Sequence, residues 1–336
     1  MLDIEHHDSL ITYLRSTARI APTESLALTT LAGGVSNKTV LVERPTGDAW
    51  VLKQALPQLR VAVEWHADPR RIEREALGIR HLADICPAGS ITPLVFEDPA
   101  HYLLAMQAVP KPHDNFKSVL LAGHVDPDHI DQFARLLATI HRAGHDRRAD
   151  LSRVFADRSF FESLRLEPYY LYAAKNAPEA APFLHALVAE TRTRQLSLVH
   201  GDYSPKNVLI RAGQLILLDH EVIHFGDPAF DLGFSLTHLL SKAHHLRPHR
   251  PAFRDAAHQY WSAYTAALGP SPFPALESVA VRHTLACLLA RVAGRSPLEY
   301  LTPDEKTRQR QAVVQLIATP SASVPTLVDA FLARTA

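Results

Sequence analysis

The stretch from residue 196 to residue 231 constrains the fold of this chain more than any other part of the sequence. It contains three apolar runs, each too short for a helix, so each is predicted to form a buried strand. The runs are 196–199, 208–210 and 215–218. The polar side chains at the strand ends are Asp202, Asn207, Asp219 and Glu221. Part-buried carboxylates repel one another unless they are paired. Their oxygens suit Mg²⁺, which usually binds together with phosphates, so the stretch predicts a cation site.

The overall composition limits the classes of protein to which this chain can belong. A length of 336 residues suggests about two domains, and 47% hydrophobic residues can fill sizeable cores. Lys plus Arg and Asp plus Glu both number 35, so bulk electrostatic binding of nucleic acid is not expected. No apolar run reaches the ~18 residues of a membrane span, and the acidic N-terminus does not resemble a signal peptide. Cys86 and Cys287 form no motif, so we expect reduced thiols in a cytoplasmic protein.

Two features of the N-terminal third indicate contacts with phosphate groups, although each has a second explanation. Gly33 and Gly34 stand between two predicted strands, where they allow a close backbone approach or simply form a hairpin turn. Lys53 ends an apolar strand, where a charge needs a partner, unless the strand lies at the edge of a sheet. Residues 69–82 follow with apolar side chains at helical spacing and predict a helix.

The later half of the chain is predicted to be mainly helical. Residues 129–143 predict a core helix that Gly144 ends, with His141 packed inside it. Residues 160–166 predict a short helix. The histidine-rich segment 238–249 could bind a transition metal, but its irregular spacing and its lysine and arginine residues favour a solvated basic helix end.

The motif around the first polar cluster resembles a known family. His200-Gly201-Asp202 with Asn207 forms an HGDxxxxN pattern, and a strand and Asp219 follow it. This combination is similar to the catalytic segment of the aminoglycoside phosphotransferase and choline kinase superfamily, whose members share the protein-kinase-like fold. The resemblance implies an α+β, bilobal fold. An N-terminal lobe with an antiparallel sheet and a helix would span 1–109, and a larger, mostly helical C-terminal lobe would span 110–336.

Two further segments resemble 5-methylthioribose kinase in particular. The octamer KQALPQLR, which begins at Lys53, is one of them. The other is Asp219-His220-Glu221, a D-x-E sequence at the place where protein kinases have Asp-Phe-Gly. Asn207, however, is more typical of the general superfamily than of the methylthioribose enzymes.

The resemblance also implies cofactors and catalytic roles. ATP and Mg²⁺ are the implied cofactors, and Asp202 is the implied base, which would accept the proton of the attacking hydroxyl. The implied magnesium ligands are Asn207, Asp219 and Glu221. His200 is expected to orient the loop, while Asp227 and Asp231 are expected to brace it through backbone N–H groups.

A further set of residues is implied to bind the nucleotide and the substrate. The nucleotide-binding residues, which include the backbone of a hinge, are Gly33, Gly34, Ser36, Asn37, Lys53, Glu73, Gln107 and Val109. Within this set Glu73 is the expected partner of Lys53, with Glu75 as the alternative. Arg291 lies in a segment, LLARVAG, which resembles the segment that contacts the sugar in methylthioribose kinases; helix capping is its alternative role.

The leading functional hypothesis is an ATP-dependent small-molecule kinase. It would transfer the γ-phosphoryl group to a hydroxyl of a sugar-like, methylthioribose-like acceptor, with no nucleic acid or membrane as a partner. An aminoglycoside O-phosphotransferase is the alternative within the same class, and a nucleotide-binding pseudokinase regulator is the alternative outside it. The identity of the acceptor and the oligomeric state are left open by the sequence.

Overall fold

The chain divides into two compact units. The computed structural model describes residues 2–31, 34–61 and 64–336. The first unit comprises Met1–His113 with Leu218–Glu221, and the second comprises Asp114–Leu217 with Val222–Ala336. The boundary predicted between residues 109 and 110 lies four residues before this one, and the assignment of Leu218–Glu221 to the first unit was not predicted.

An antiparallel sheet of five strands, in the order β1-β2-β3-β5-β4, forms the first unit. The strands are β1 (Ala27–Thr30), β2 (Asn37–Glu43), β3 (Ala49–Ala55), β4 (Leu94–Asp98) and β5 (Leu103–Gln107). Helix α1 (His7–Ser16) buries Leu10 in an apolar core with the sheet residues Val40 and Leu52. Helix α2 (Arg71–Ile85) also belongs to this unit. The predicted N-terminal sheet with a helix is confirmed.

The second unit is mainly helical, as predicted. Its helices are α3 (Phe116–Leu121), α4 (Pro127–Asp146), α5 (Arg148–Val154), α6 (Ser159–Phe161), α7 (Tyr172–Asn176), α8 (Ala181–Thr193), α9 (Ala229–His245), α10 (Arg250–Leu268), α11 (Leu276–Ala293), α12 (Pro303–Ala318) and α13 (Val324–Arg334). Among the described residues, no helix combines the length and hydropathy that a membrane crossing requires.

The three apolar runs predicted as strands are strands in the second unit. They are β7 (Ser197–Val199), β8 (Val208–Arg211) and β9 (Gln214–Leu217). Strand β7 pairs with β10 (His224–Gly226), and β8 lies between β6 (Asp114–Asn115) and β9. All these pairings are antiparallel, and the short strands leave the polar residues between them in loops.

Helix α4 continues through Gly144, so the prediction that Gly144 ends the helix is wrong. A Cβ atom at this position would overlap the backbone of Leu198 and the side chain of Ser197. Glycine is required here because strand β7 crosses the helix closely. His141, one turn earlier, is fully buried and its Nδ1 lies 2.8 Å from the Tyr264 hydroxyl, as a packed histidine should.

The predicted short helix at 160–166 is interrupted by an unusual backbone. Helix α6 ends at Phe161 and continues as a π-helical segment, Glu162–Leu171, which contains Pro168. Proline has no amide hydrogen and cannot make the regular α-helical bond, so a local change of helix geometry is expected near it. This segment carries Arg165 and Tyr169, two side chains that contact functional residues described below.

Helix α9 is buried from Ala229 to His244, whereas residues 247–249 are exposed, so the predicted solvated basic helix end is wrong for 238–244 only. Other helices of the unit, α10 and α11 above all, pack around it. His244 Nε2 contacts the Glu305 carbonyl oxygen at 3.0 Å, and His245 Nδ1 contacts the Glu305 carboxylate at 3.0 Å. These two histidines therefore bind protein partners, and the burial of the segment is a tertiary effect.

Candidate active site

Lys53 is the centre of a buried charge cluster in the first unit. Strand β3, the middle strand of the sheet, carries it between Thr39 of β2 and Leu104 of β5, so the edge-strand explanation fails. Lys53 Nζ donates to Glu75 Oε1 at 2.6 Å and to Asp219 Oδ1 at 3.1 Å. Burial alone would lower the pKa of Lys53, but the Asp219 and Glu75 carboxylates outweigh burial and raise this pKa above its usual value.

The carboxylate that pairs with Lys53 is Glu75, so the prediction that named Glu73 is wrong. Glu75 is fully buried, whereas Glu73 is exposed. The cause is helix phase, since Glu75 follows the buried Ile72 by three residues and precedes the buried Ile79 by four. Two residues along an α-helix rotate a side chain by about 200°, which turns Glu73 to the opposite face. The apolar stripe of α2 was therefore a usable sequence signal for choosing Glu75 over Glu73.

Under the nucleotide-binding role predicted for Lys53, Glu75→Gln should raise the KM for ATP about tenfold, while Glu73→Gln should change it by less than about twofold. The reason is that glutamine removes the charged partner of Lys53, whereas Glu73 is a solvated surface carboxylate. Steady-state kinetics of the purified variants at varied ATP concentration measure both values. Equal effects of the two substitutions would contradict the assignment of Glu75.

A second buried ion pair, which was not predicted, joins Arg71 to Glu221. Arg71 is 0% exposed, and its Nε donates to Glu221 Oε2 at 3.1 Å. Its other guanidinium nitrogens donate to the backbone carbonyl oxygens of Ser36, Leu56, Ala67 and Asp68. Asn37 Nδ2 donates to the same oxygen of Glu221 at 3.3 Å. Arg71 thus connects Glu221 to the segment that was predicted to contact phosphates.

Three carboxylates, those of Glu75, Asp219 and Glu221, meet in this cluster. Each offers one oxygen within 4.8 Å of the others. Lys53 and Arg71 supply two positive charges against three negative ones, and Glu75 Oε2 is buried without a hydrogen-bond partner in the described part of the chain. Burial raises the pKa of Glu75, Lys53 opposes the rise, and Asp219 and Glu221 add to it. Hard oxygen donors with an excess negative charge fit a divalent cation.

In the second unit, the loop that follows β7 is held by Asp231. Asp231 accepts hydrogen bonds from the backbone N–H groups of His200 at 2.7 Å and Gly201 at 2.8 Å, which is the bracing role expected for it. Gly201 has a φ of 77°, and a Cβ atom there would lie 3.0 Å from Val222, so glycine suits the position. Asp227, expected to brace the same loop, instead accepts from an N–H group at the start of α9 at 3.1 Å.

Asp202 follows in the same loop, and both of its carboxylate oxygens have partners. Oδ1 lies 2.8 Å from Arg165 Nη2, and Oδ2 accepts from Asn207 Nδ2 at 2.6 Å. Arg165 Nε also donates to the Gly201 carbonyl oxygen at 2.7 Å. These contacts fix the orientation of Asp202. Arg165 was not predicted, because no local pattern distinguishes it from a surface arginine.

The remaining predicted nucleotide-binding residues belong to the first unit. Gly33 lies outside the described residues. Gly34 is described, and a Cβ atom there would lie 3.3 Å from the Asn37 carbonyl oxygen. Gln107 is the last residue of β5, and Val109 follows two residues later. Their predicted role, which depends on backbone groups, stays a prediction.

Arg291 is buried near the C-terminal end of α11 and is 8% exposed. Its Nη1 donates to the Tyr169 hydroxyl at 3.0 Å, and its guanidinium lies 5.5 Å from the Tyr169 ring centroid. The same nitrogen donates to the Ser296 carbonyl oxygen at 2.6 Å, three residues beyond the last residue of α11. The role of Arg291 with substrate stays a prediction.

Comparison with known proteins identifies the family. Residues 27–280 match the Phosphotransferase enzyme family, so this chain belongs to that family. It is 27% identical over 259 residues to a methylthioribose kinase of Pectobacterium carotovorum, an alignment that covers 68% of this chain and 64% of that protein. It is 28% identical over 265 residues to a methylthioribose kinase of Yersinia enterocolitica, again covering 68% and 64%. The chain thus spans less than two thirds of the length of these relatives.

The fold is also that of solved small-molecule kinases. The structure of a choline kinase from Cryptosporidium parvum matches with a TM-score of 0.58 and 11% identity, covering 96% of this chain and 99% of that one. At this identity the likeness concerns the fold alone. The predicted α+β, protein-kinase-like fold is confirmed.

Proposed function

We propose that this chain is an ATP-dependent kinase which transfers the γ-phosphoryl group to a hydroxyl of a sugar-like small molecule. The observation that carries the proposal is the placement of Lys53 between Glu75 and Asp219. The two carboxylates keep the ammonium charged and fix its position, as a group that binds nucleotide phosphates requires. Membership of the phosphotransferase family and the methylthioribose kinase relatives support this class of reaction and this class of acceptor.

Each step of the proposed reaction has a residue for it. Lys53 binds phosphate oxygens of ATP, and Asp202 accepts the proton of the attacking hydroxyl. The acceptor oxygen forms a bond to the γ-phosphorus, and the bond to the β-phosphate oxygen breaks, which releases ADP. Arg165 and Asn207 orient Asp202 for the proton transfer through their contacts with its two oxygens. These contacts leave further lone pairs on each oxygen to accept the proton.

The divalent cation in the proposal is Mg²⁺. Asp219 and Glu221 are its proposed ligands, Asn207 is the third predicted ligand, and the ion would neutralise charge on the phosphates. The donor set of Glu75, Asp219 and Glu221 fits a hard cation, and Glu75 Oε2 is buried without a partner in the described residues.

The alternative functions are less well supported. A pseudokinase regulator would be expected to lack a catalytic residue, but Lys53, Asp202, Asn207 and Asp219 are all present. An aminoglycoside kinase must hold a polycation, and such a substrate requires acidic groups on the acceptor side. Arg291, the predicted acceptor contact, lies instead among basic side chains.

An acceptor screen with ATP and Mg²⁺ tests the proposed function. The panel contains methylthioribose, other pentoses, choline and kanamycin, and ADP release is coupled to an optical signal. We expect release that depends on a sugar-like acceptor and is lost when the divalent cation is chelated with EDTA. If ATP binds but no acceptor stimulates turnover, the kinase proposal is wrong and the regulatory alternative gains. Turnover with kanamycin alone would favour the antibiotic kinase.

A further inference from the structure

The buried end of helix α9 carries two basic residues, neither of which forms an ion pair with a carboxylate of the described chain. His238 and Lys242 are one helical turn apart and therefore share a face of α9. His238 is 6% exposed and Lys242 is 0% exposed. Lys242 Nζ donates only to the His238 carbonyl oxygen, at 3.3 Å, within the residues that the structure describes. A buried ammonium without an acidic partner is costly, so its presence requires a reason.

Two more side chains complete what we call the basic cluster, which consists of His238, Lys242, Arg291 and Tyr300. Lys242 Nζ lies 5.6 Å from the Tyr300 ring centroid. His238 packs edge-on against Phe234, with ring centroids 5.1 Å apart. Three polar atoms of the cluster have no hydrogen-bond partner in the described chain, although each is buried. They are His238 Nε2, Arg291 Nε and the Tyr300 hydroxyl oxygen.

The electrostatic environment of the cluster is positive. Burial lowers the pKa of Lys242 to about 7, and the charges of Lys117 and Arg291 contribute to the lowering while Glu299 opposes it. Glu299 itself forms an ion pair with Lys117. Burial, Lys242 and Arg291 together lower the pKa of His238 well below its usual value, and Lys117 and Lys206 add to this. An anion in this place would relieve the repulsion among these groups.

Side-chain contacts within the second unit link the basic cluster to the proposed base. Arg165 contacts Asp202 at 2.8 Å, and its guanidinium carbon lies 5.6 Å from the Tyr169 ring and 5.8 Å from the Phe234 ring. Tyr169 in turn contacts Arg291, and Phe234 contacts His238. A group bound to the cluster is therefore on the acceptor side of the proposed reaction.

We propose that the basic cluster binds an anionic group, a phosphate or a carboxylate, of the acceptor molecule. The cluster provides unpaired donors at Arg291 and Tyr300 and an ammonium at Lys242, and such groups bind oxyanions through charge-assisted hydrogen bonds. Binding of an anion to the cluster does not depend on the proposed kinase function. Only the statement that this anion belongs to the acceptor rests on that function. A cluster that binds anions also explains why polycationic aminoglycosides are poor acceptor candidates, because their positive charges would meet those of the cluster.

Sulfate binding tests the site without any catalytic reaction. Sulfate does not titrate between about pH 5 and pH 9, and its binding is measured by calorimetry and by thermal shift on the full chain. Lys242→Met and Arg291→Met should each weaken sulfate binding about tenfold or more. The exposed Lys175→Met is the matched control and should leave binding unchanged. If Lys53→Met abolishes sulfate binding and Lys242→Met does not, the anion binds to the nucleotide-binding residues and the proposal is overturned.

Folding of the variants distinguishes a binding role from a structural one. Methionine has nearly the length of lysine but no charge, so Lys242→Met should raise the thermal midpoint of the free protein. The increase in the thermal midpoint should be largest below pH 7, where Lys242 is charged in the folded protein. It should shrink as the pH rises toward 10, because Lys242 is uncharged in the folded protein above pH 7. Loss of sulfate binding together with increased stability is the expected result. Lower stability with intact sulfate binding would mean that Lys242 has a structural role. His238→Gln provides a second variant, which changes the basic cluster without removing the Lys242 ammonium.

The pH dependence of sulfate affinity gives a further signature. Bound sulfate raises the pKa of Lys242, so affinity should fall by up to about tenfold per pH unit above pH 7. The charged groups that face Lys242 from neighbouring elements are Lys117, Arg291 and Glu299. Lys242→Met should abolish this dependence. A pH dependence that persists in Lys242→Met would contradict the assignment.

The acceptor screen then connects the site to catalysis and separates the two proposals. Sugar phosphates and sugar acids should be phosphorylated with a lower KM than their neutral parents, and Lys242→Met should raise the KM of the anionic acceptors only. The preference between the two classes shows whether the anion is phosphate or carboxylate. Sulfate binding without turnover of any acceptor would support the anion site and contradict the proposed kinase function. Turnover of neutral acceptors without sulfate binding would support the kinase function and contradict the anion site.

Discussion

Asp202→Asn should lower the kcat of acceptor phosphorylation by about 10²–10⁴-fold and leave the affinity for ATP nearly unchanged. Asparagine is similar in size to aspartate but cannot accept the hydroxyl proton. Arg165 and Asn207 hold Asp202 within the second unit, whereas the proposed phosphate contact, Lys53, belongs to the first. The loss should therefore appear in kcat. Steady-state kinetics and calorimetric titration with ATP measure the two quantities separately.

The control for this prediction is Asp150→Asn, a change of the same kind at an exposed aspartate that pairs with Arg153 on the surface of α5. It should leave kcat within about twofold of the original value. A thermal unfolding scan of Asp202→Asn shows whether the loop keeps its structure. If Asp202→Asn retains transfer within about tenfold of the unchanged protein, Asp202 is not the base.

Arg71→Met should destabilise the protein by about 3–5 kcal/mol, because it leaves Glu221 as a buried charge without its partner. Arg71 also donates to the carbonyl oxygens of Ser36 and Leu56, so its loss should disturb the segment before β2 and raise the KM for ATP. Urea denaturation measures the free energy of unfolding, and initial rates at varied ATP concentration measure the KM.

The neighbouring Arg70 provides a matched control. It pairs with Asp68 on the surface, with 68% of its side chain exposed, so Arg70→Met should cost about 0–1 kcal/mol. Glu221→Gln in the Arg71→Met background removes the unpaired charge and should restore part of the lost stability. Destabilisations that simply add in the double variant would show that Arg71 and Glu221 do not interact energetically.

The parts of the site that were predictable from the sequence depend on short-range geometry. Asp202 and Asn207 lie in one loop between two short strands, and their contact at 2.6 Å follows from that loop. The apolar runs on either side identified β7, β8 and β9, because a buried run too short for a helix has few other structures available. Lys53 was identified by the unusual place of a charge in an apolar strand.

Other residues were not predictable in this way. The resemblance did not separate Glu73 from Glu75, although the apolar stripe of α2 places Glu75 on the buried face that contacts Lys53. Arg71 lies 150 positions from Glu221, and Arg165 lies in a π-helical segment that local patterns do not reveal. Gly144 was interpreted as a helix end because glycine commonly ends helices, whereas the close crossing of β7 is the cause.

The sequence by itself determined the class of fold, the family and the loop that carries Asp202, because these depend on the spacing of apolar and polar residues along the chain. Only the tertiary structure decided which charges are buried together. Lys242 and His238 belong to a segment that is basic in composition, and an isolated helix would expose them to water. In the folded unit α10 and α11 cover that helix and remove the water. Burial of a charge is a property of the surroundings, which its own segment does not encode.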